Sequence, residues 1–222
     1  MKTRSKALLL TLCAVLLVTA SVLGTMAFLT STASVKNTFT VGSVKITLDE
    51  AKVNGEGKPI NADGQVVTNL AAAERVKANS YKLMPGHTYT KDPTVTVKAV
   101  SESSYVRMLV TVTFDKILTD EKLATNLDSI FTGYDAANWD RNAKDTKTEE
   151  GKTIITYEYR YKETVSAATE DNKLPALFTG IRVPGEWTND DLAALGGIQI
   201  NIVAQAIQAD GFDNAEKAWE KF

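Results

Sequence analysis

Along most of the chain, apolar and polar residues alternate one for one. Val44, Ile46 and Leu48 are separated by Lys45 and Thr47, and Val95, Val97 and Ala99 by Thr96 and Lys98. The longest run sets Val106, Met108, Val110, Val112 and Phe114 against Arg107, Thr111 and Thr113. Ile155, Tyr157, Tyr159 and Tyr161 alternate with Thr156, Glu158, Arg160 and Lys162. Ile198, Ile200, Ile202, Ala204 and Ala206 alternate with Gln199, Asn201 and Gln205, with Val203 the one apolar exception. Successive side chains of a strand point to opposite sides, so a period of two predicts strands with one buried face. Strands of this kind pack as antiparallel sheets face to face. The expected fold is all-β, a jelly-roll-like antiparallel β-sandwich with a few short helices in connections and at the C-terminus.

Turn residues fall between the runs. Asn54-Gly55-Glu56-Gly57 and Asp63-Gly64 bracket a short polar excursion that reads as a hairpin. Pro85-Gly86 precedes the Val95 run. Pro184-Gly185 precedes a short helix that starts near Thr188 or Asn189, runs through Asp190, Asp191, Leu192 and Leu195, and stops at Gly196-Gly197. Helical spacing places Leu123, Leu127 and Ile130 on one face over residues 120–131. It also groups Ala218, Trp219 and Phe222 on a terminal helix from Asp213.

The N-terminus breaks the pattern. Lys2, Arg4 and Lys6 precede an uncharged run over residues 7–29, and the next charge is Lys36. This is the layout of an export signal, and Thr25-Met26-Ala27 has the small-x-small form of a cleavage site, placing the cut between Ala27 and Phe28. The same 23 residues are long enough to span a bilayer if retained as an anchor. Ala20, Ser21, Gly24 and Thr25 near the end of the run favour cleavage. The chain thus divides into a leader (1–27), an N-terminal segment with the start of the first strand (28–43), and one sandwich domain (44–222).

Cleavage changes the charge. The 222 residues carry 25 basic and 27 acidic side chains. The leader takes three basic residues with it, leaving 22 against 27, a net charge of −5 on 195 residues. That length supports one sizeable core, and the charge argues against a nucleic-acid partner. Cys13, the single cysteine, departs with the leader, so stability rests on the core, a bound ion or assembly rather than on disulfides. This fits the surface of a single-membrane bacterium.

Residues Phe28, Leu29, Thr30, Ser31, Thr32, Ala33, Ser34 and Val35 carry no charge, proline or glycine. With Lys36, Asn37 and Thr38 they form a candidate strand for the open sheet edge of another molecule. The same composition also suits a flexible N-terminus.

An export signal followed by Phe39-Thr40-Val41-Gly42-Ser43-Val44-Lys45-Ile46-Thr47-Leu48 resembles the opening of the TasA/camelysin family. Leu83-Met84-Pro85-Gly86, then Lys91-Asp92-Pro93 and Val95-Thr96-Val97, is similar to the family's leucine-x-proline-glycine turn and the strand after it. Ser101-Glu102-Ser103-Ser104-Tyr105-Val106-Arg107 extends that match, and Ala204-Gln205-Ala206-Ile207-Gln208-Ala209 is similar to the closing strand. Residues 116–173 carry no match. The resemblance implies a jelly-roll sandwich exported by Gram-positive bacteria, cut by a signal peptidase of the SipW type, and polymerised into extracellular filaments of the biofilm matrix. It further implies that the N-terminal segment of one subunit, here residues 28–38, completes a sheet of the next. Its partners are other copies of itself and accessory matrix proteins, and it needs no cofactor.

Enzyme chemistry finds little support in the residues. Camelysin-type relatives are classed as metallopeptidases, yet the chain has one histidine, His87, and no His-Glu-x-x-His. No Gly-x-Ser-x-Gly elbow accompanies that histidine. A glycosidase needs only two carboxylates, and no spacing singles out a pair. Tyr157, Tyr159 and Tyr161, with Trp139, Trp187 and Trp219, read as core rather than as a carbohydrate groove. Asp135, Asp140 and Asp145 in a polar loop, and Asp190-Asp191 opening a helix, do not follow the spacing of a calcium-binding loop. The expected protein is therefore a non-enzymatic, exported, self-assembling subunit. The competing readings are a monomeric surface adhesin or ligand-binding sandwich and, behind it, a camelysin-type metallopeptidase.

Overall fold

The alternating runs become strands, and their apolar faces meet. The computed structural model describes residues 30–33, 37–38, 44–115, 117, 129–194 and 198–222. The strands are β1 (Thr30–Ala33), β2 (Asn37–Thr38), β3 (Ile46–Ala51), β4 (Arg75–Val76), β5 (Thr88–Thr90), β6 (Thr94–Val97) and β7 (Ser101–Phe114). They continue with β8 (Phe131–Thr132), β9 (Trp139–Glu149), β10 (Lys152–Tyr161), β11 (Val165–Ala167), β12 (Asn172–Lys173), β13 (Gly180–Arg182) and β14 (Ile198–Gln208). Two short helices, α1 (Asn189–Ala194) and α2 (Ala215–Trp219), flank β14 in sequence.

β7 carries the large sheet, whose order is β2-β1-β14-β7-β10-β9, with β11 also paired to β7. β14 pairs with it along its whole length, from Ile198↔Phe114 to Gln208↔Ser104. β10 lines the other side, from Thr153↔Phe114 to Arg160↔Arg107. The inward residues of β7, Val106 to Phe114, are essentially inaccessible. They pack against two smaller sheets, β12-β6-β3-β4 and β5-β13-β8. Ile46, Val95 and Val97 from the first and Tyr89 and Ile181 from the second belong to the same apolar cluster as β7. Each fully buried large side chain is worth about 1.5–3 kcal/mol. The architecture is an all-β antiparallel sandwich.

The aromatic residues lie where the core reading put them. Tyr157 and Tyr159 are buried, and Tyr161 packs at the margin of the same cluster. Trp139 is inaccessible and donates its Nε1–H to the Pro175 carbonyl at 3.1 Å. Trp187 and Trp219 are also buried. Trp219, on α2, packs with Ile207 on the outer side of the large sheet, and the Phe222 ring lies 5.6 Å from it. The Arg107 guanidinium stacks 4.3 Å over the Trp219 ring.

Several local expectations change. The 120–131 helix falls largely outside the described residues, but its end does not. Phe131 is in β8, paired with Ile181, because its ring packs on Phe178 and Tyr157. The polar loop containing Asp140 and Asp145 is instead the strand β9. Its positions after Trp139 are all exposed, so no apolar alternation marked it. The β10 ladder and a tight turn, with Glu150 at φ 51° and Gly151 at φ 77°, hold it in place. The excursion over residues 54–64 is two successive turns, each with its own bridge, Val53↔Pro59 and Ile60↔Val66. Asn54 and Asn61 organise them, each accepting two backbone N–H bonds on its Oδ1. The helix stop at Gly196-Gly197 lies outside the described residues.

Between β6 and β7 the chain crosses from one sheet to the other through Ala99 and Val100. Val100 has φ 66° and is 79% exposed. A β-branched residue in the left-handed region costs about 1–2 kcal/mol and here recovers none of it by packing. Val100→Gly is expected to raise unfolding stability by about 0.5–1 kcal/mol, after allowing for glycine's larger unfolded-state entropy. Urea unfolding of the two proteins measures this.

Candidate assembly interface

The large sheet ends in two unlike edges. On one side β9 carries Asp140, Arg141, Lys144, Asp145, Lys147 and Glu149. Charged, exposed side chains of this kind keep another strand from pairing. On the other side the path ends at β2, and the longer strand β14, two places in from it, has no charged residue between Ile198 and Gln208.

The N-terminal segment sits on that second edge. β1 pairs antiparallel with β14 in the register Thr30↔Ile207, Ser31↔Ala206, Thr32↔Gln205 and Ala33↔Ala204. β2 then returns along β1, Thr38 opposite Thr32 and Asn37 opposite Ala33. β1 therefore covers only the last part of β14. From Ile198 to Val203, no strand among the described residues pairs with that edge.

Beside this uncovered half lie two clefts that share Asn79, Lys91, Gln199 and Ile200. One of about 500 Å³ runs between β14 and β3, touching Leu48, Glu50, Ile200 and Ile202. The other, about 340 Å³, is lined by Tyr81, Leu83, Ile181, Trp187, Ile198 and Ile200. Ile198 and Ile200 are only half-buried, whereas Ile202 and Ala204 further along are buried.

The wall facing β14 is built on charge. Lys91 and Glu50 are both buried and form an ion pair at 2.5 Å. Asn79 donates to the other Glu50 oxygen at 2.9 Å and to the Ala51 carbonyl at 2.8 Å. Asp92 accepts the Ala51 N–H at 2.6 Å and pairs with Arg75, which also pairs with Asp49 at 2.7 Å. Tyr81 donates its hydroxyl to the Thr90 carbonyl at 3.1 Å. Burial, and next the Glu50 charge, push its phenol well above the ordinary tyrosine range.

The residues singled out in the sequence fall into clear places. Thr30 to Ala33, Asn37 and Thr38 are on the edge just described. Ala27, Phe28, Leu29, Ser34, Val35, Lys36, Phe39 and Gly42 lie outside the described residues, as does the leader. Leu48 borders the larger cleft and Leu83 the smaller. Pro85 and Gly86 form a tight turn closed by His87 N–H on the Met84 carbonyl at 3.2 Å. Gly86 is at φ 75°, and its backbone lies against Gly185 of the second Pro-Gly turn. His87 is exposed on that turn, 6.5 Å from the Tyr89 ring.

The aspartates weighed for calcium have local partners. Asp135 accepts the N–H groups of Ala137 and Asn138, Asp140 pairs with Lys162, and Asp145 pairs with Lys147. Asp191 accepts from Thr188 N–H at 2.7 Å while Thr188 Oγ1 accepts from Asp191 N–H, a reciprocal cap on α1. Among the described residues no three His, Cys, Asp or Glu side chains gather as metal ligands. No described helix is long and apolar enough to cross a membrane.

No family model matches the chain, and no curated protein or solved structure is significantly similar to it. The case for function therefore rests on this edge and its clefts. Sequence reading missed Glu50, Asn79 and Arg75. It met Lys91 and Asp92 only as part of a motif. The available signal was a Lys-Asp pair directly before Pro93 and the strand Val95-Thr96-Val97, where a buried charge demands a buried partner.

Removing one member of such a pair leaves an uncompensated charge. Lys91→Met is expected to cost about 3–5 kcal/mol of stability. Adding Glu50→Gln to Lys91→Met should return most of it, since the remaining amide oxygen still accepts from Asn79. Denaturant unfolding of the two single variants and the double variant checks the cycle.

Proposed function

We propose that this chain is an exported structural subunit that assembles with copies of itself into extracellular filaments of the biofilm matrix by N-terminal strand donation. Signal-peptide cleavage between Ala27 and Phe28 by a SipW-type peptidase frees the segment. The observation that carries the reading is the pairing of β1 with the uncharged strand β14, whose half from Ile198 to Val203 no described strand covers on that side. A segment that makes its hydrogen bonds on β14 of its own chain makes the same bonds on β14 of another. Donor and acceptor occupy different surfaces, so the contact is heterologous and propagates instead of closing. The charged β9 edge leaves β14 as the edge open to growth.

A second reading, a monomeric adhesin or ligand-binding sandwich, draws on the two clefts and their partly apolar walls. The two readings part on one experiment. Deleting residues 30–38 behind the intact leader is expected to abolish sedimentable filaments of the secreted protein while leaving a folded monomer. Electron microscopy, sedimentation and circular dichroism of the secreted chains are the readouts. Filaments that persist after the deletion would exclude strand donation. A full-length protein that stays monomeric at all concentrations would favour the adhesin.

A further inference from the structure

We infer that Lys91 and Asn79 are the partners of an isopeptide bond that the folded chain makes by itself, with Glu50 moving the protons. The strand-donation reading does not use these side chains, so the inference stands or falls apart from it.

The parts of an amide exchange are gathered in one place. Lys91 supplies an amine, and Asn79 supplies a primary amide whose leaving group is ammonia. Glu50 lies between them. Its Oε2 is 2.5 Å from Lys91 Nζ, and its Oε1 accepts from Asn79 Nδ2 at 2.9 Å. One carboxylate therefore touches both the nitrogen that attacks and the nitrogen that leaves. Backbone groups fix which way the amide points. Val53 N–H donates to Asn79 Oδ1 at 3.0 Å, and Nδ2 donates to the Ala51 carbonyl at 2.8 Å. The donor on Oδ1 sits where negative charge develops when a nucleophile adds to the amide carbon. The surroundings are dry: the Lys91 and Glu50 side chains are each 7% exposed, and the Tyr81 ring lies 5.6 Å from Nζ. A site of this kind keeps the amine short of hydration and keeps water from competing as nucleophile.

The reaction balances without an outside reagent. Lys91 passes one proton to Glu50, which turns a buried ion pair into a neutral amine and a carboxylic acid. The Nζ lone pair adds to Asn79 Cγ, and the carbonyl electron pair moves onto Oδ1. Glu50 then gives its proton to Nδ2 and takes one from Nζ. The carbonyl re-forms, the Cγ–Nδ2 bond breaks, and ammonia leaves through the clefts that Asn79 and Lys91 both line. The product is an amide between Nζ and Cγ. Glu50 ends as an uncharged acid, so no bare charge is left buried. The ion pair described above is the reactant arrangement of this step.

The bond closes the loop from residue 79 to residue 91. The chain has a single cysteine, Cys13, and so has no disulfide of its own to do this.

Tryptic digestion and mass spectrometry of the purified secreted chain test the inference. Cleavage after Lys77, Lys82, Lys91 and Lys98 ordinarily yields peptides 78–82, 83–91 and 92–98. The linked protein is expected to yield 78–82 joined through Asn79 to 83–98. This branched peptide is uncut at Lys91 and lighter than its two parts by one ammonia. Glu50→Gln is expected to slow its formation by about a hundredfold or more. Asn79→Asp, whose leaving group is water, is expected to give the same branched peptide with the loss of one water instead. Separate peptides from the folded parent chain overturn the inference. An ammonia loss confined to peptide 78–82 overturns it as well, because Asn79-Ser80 loses ammonia when the side chain closes on its own backbone. An equal rate in Glu50→Gln overturns the role given to Glu50. The parent digest decides the matter even where a variant fails to fold.

Discussion

A β-sheet ends in a row of backbone N–H and C=O groups whose hydrogen bonds must be made somewhere, and the rest of this molecule is arranged around where they are made. β7 sits inside the large sheet, with β14 and β10 on either side of it for most of its length. The unmet demand is thereby pushed outward to β9 and β14. β9 meets it with water and charge: a strand whose exposed side chains are mostly ionic offers no apolar surface for a second sheet. β14 is uncharged throughout and partly covered by a segment that lacks charge as well. The two sides of the sheet therefore differ in chemistry, ionic along β9 and uncharged along β14.

β1 meets β14 only at Ala204–Ile207, the end closest to where Lys45 is anchored beside Ser101. The incomplete strand leaves half-buried isoleucines and two clefts beside them.

The parts of this arrangement that a period of two records were legible in the sequence. β7, β10 and β14 stand where alternation placed them, because each has one face on the core and the other outside. Tyr157 and Tyr159 of β10 went inward for the same reason. β9 was hidden because it has no buried face after Trp139, so its strand character comes from the ladder to β10 and not from its own side chains. Phe131 was read into a helix because a helical spacing and a short apolar strand look alike over a few residues, and only its packing on Phe178 and Tyr157 separates them. Thr30 to Ala33, Asn37 and Thr38 were legible as part of a candidate strand without a sheet. Its acceptor was not, because pairing partners far apart in the chain leave no trace in local pattern. The buried cluster of Glu50, Lys91, Asp92 and Arg75 joins three segments by ion pairs, and charge in a sequence reads by default as surface.

That cluster explains why the cleft stays open. A wall of flexible apolar side chains facing Ile200 and Ile202 would relax across the gap and fill it, as cores do around small voids. Here the wall is held from behind. Asp92 accepts the Ala51 N–H of β3 and pairs with Arg75 of β4, while Lys91 is bound to Glu50 of β3, which also accepts from Asn79. Each of these bonds has a direction, and each group has a partner that cannot be given up without leaving a buried charge bare. Desolvation offsets much of their attraction, so their contribution is geometric more than energetic: they fix β3 and residues 79–92 at a set distance from β14. A rigid wall on one side and an uncharged strand edge on the other make a slot that shape and backbone hydrogen bonds can fill. An extended strand satisfies both requirements at once.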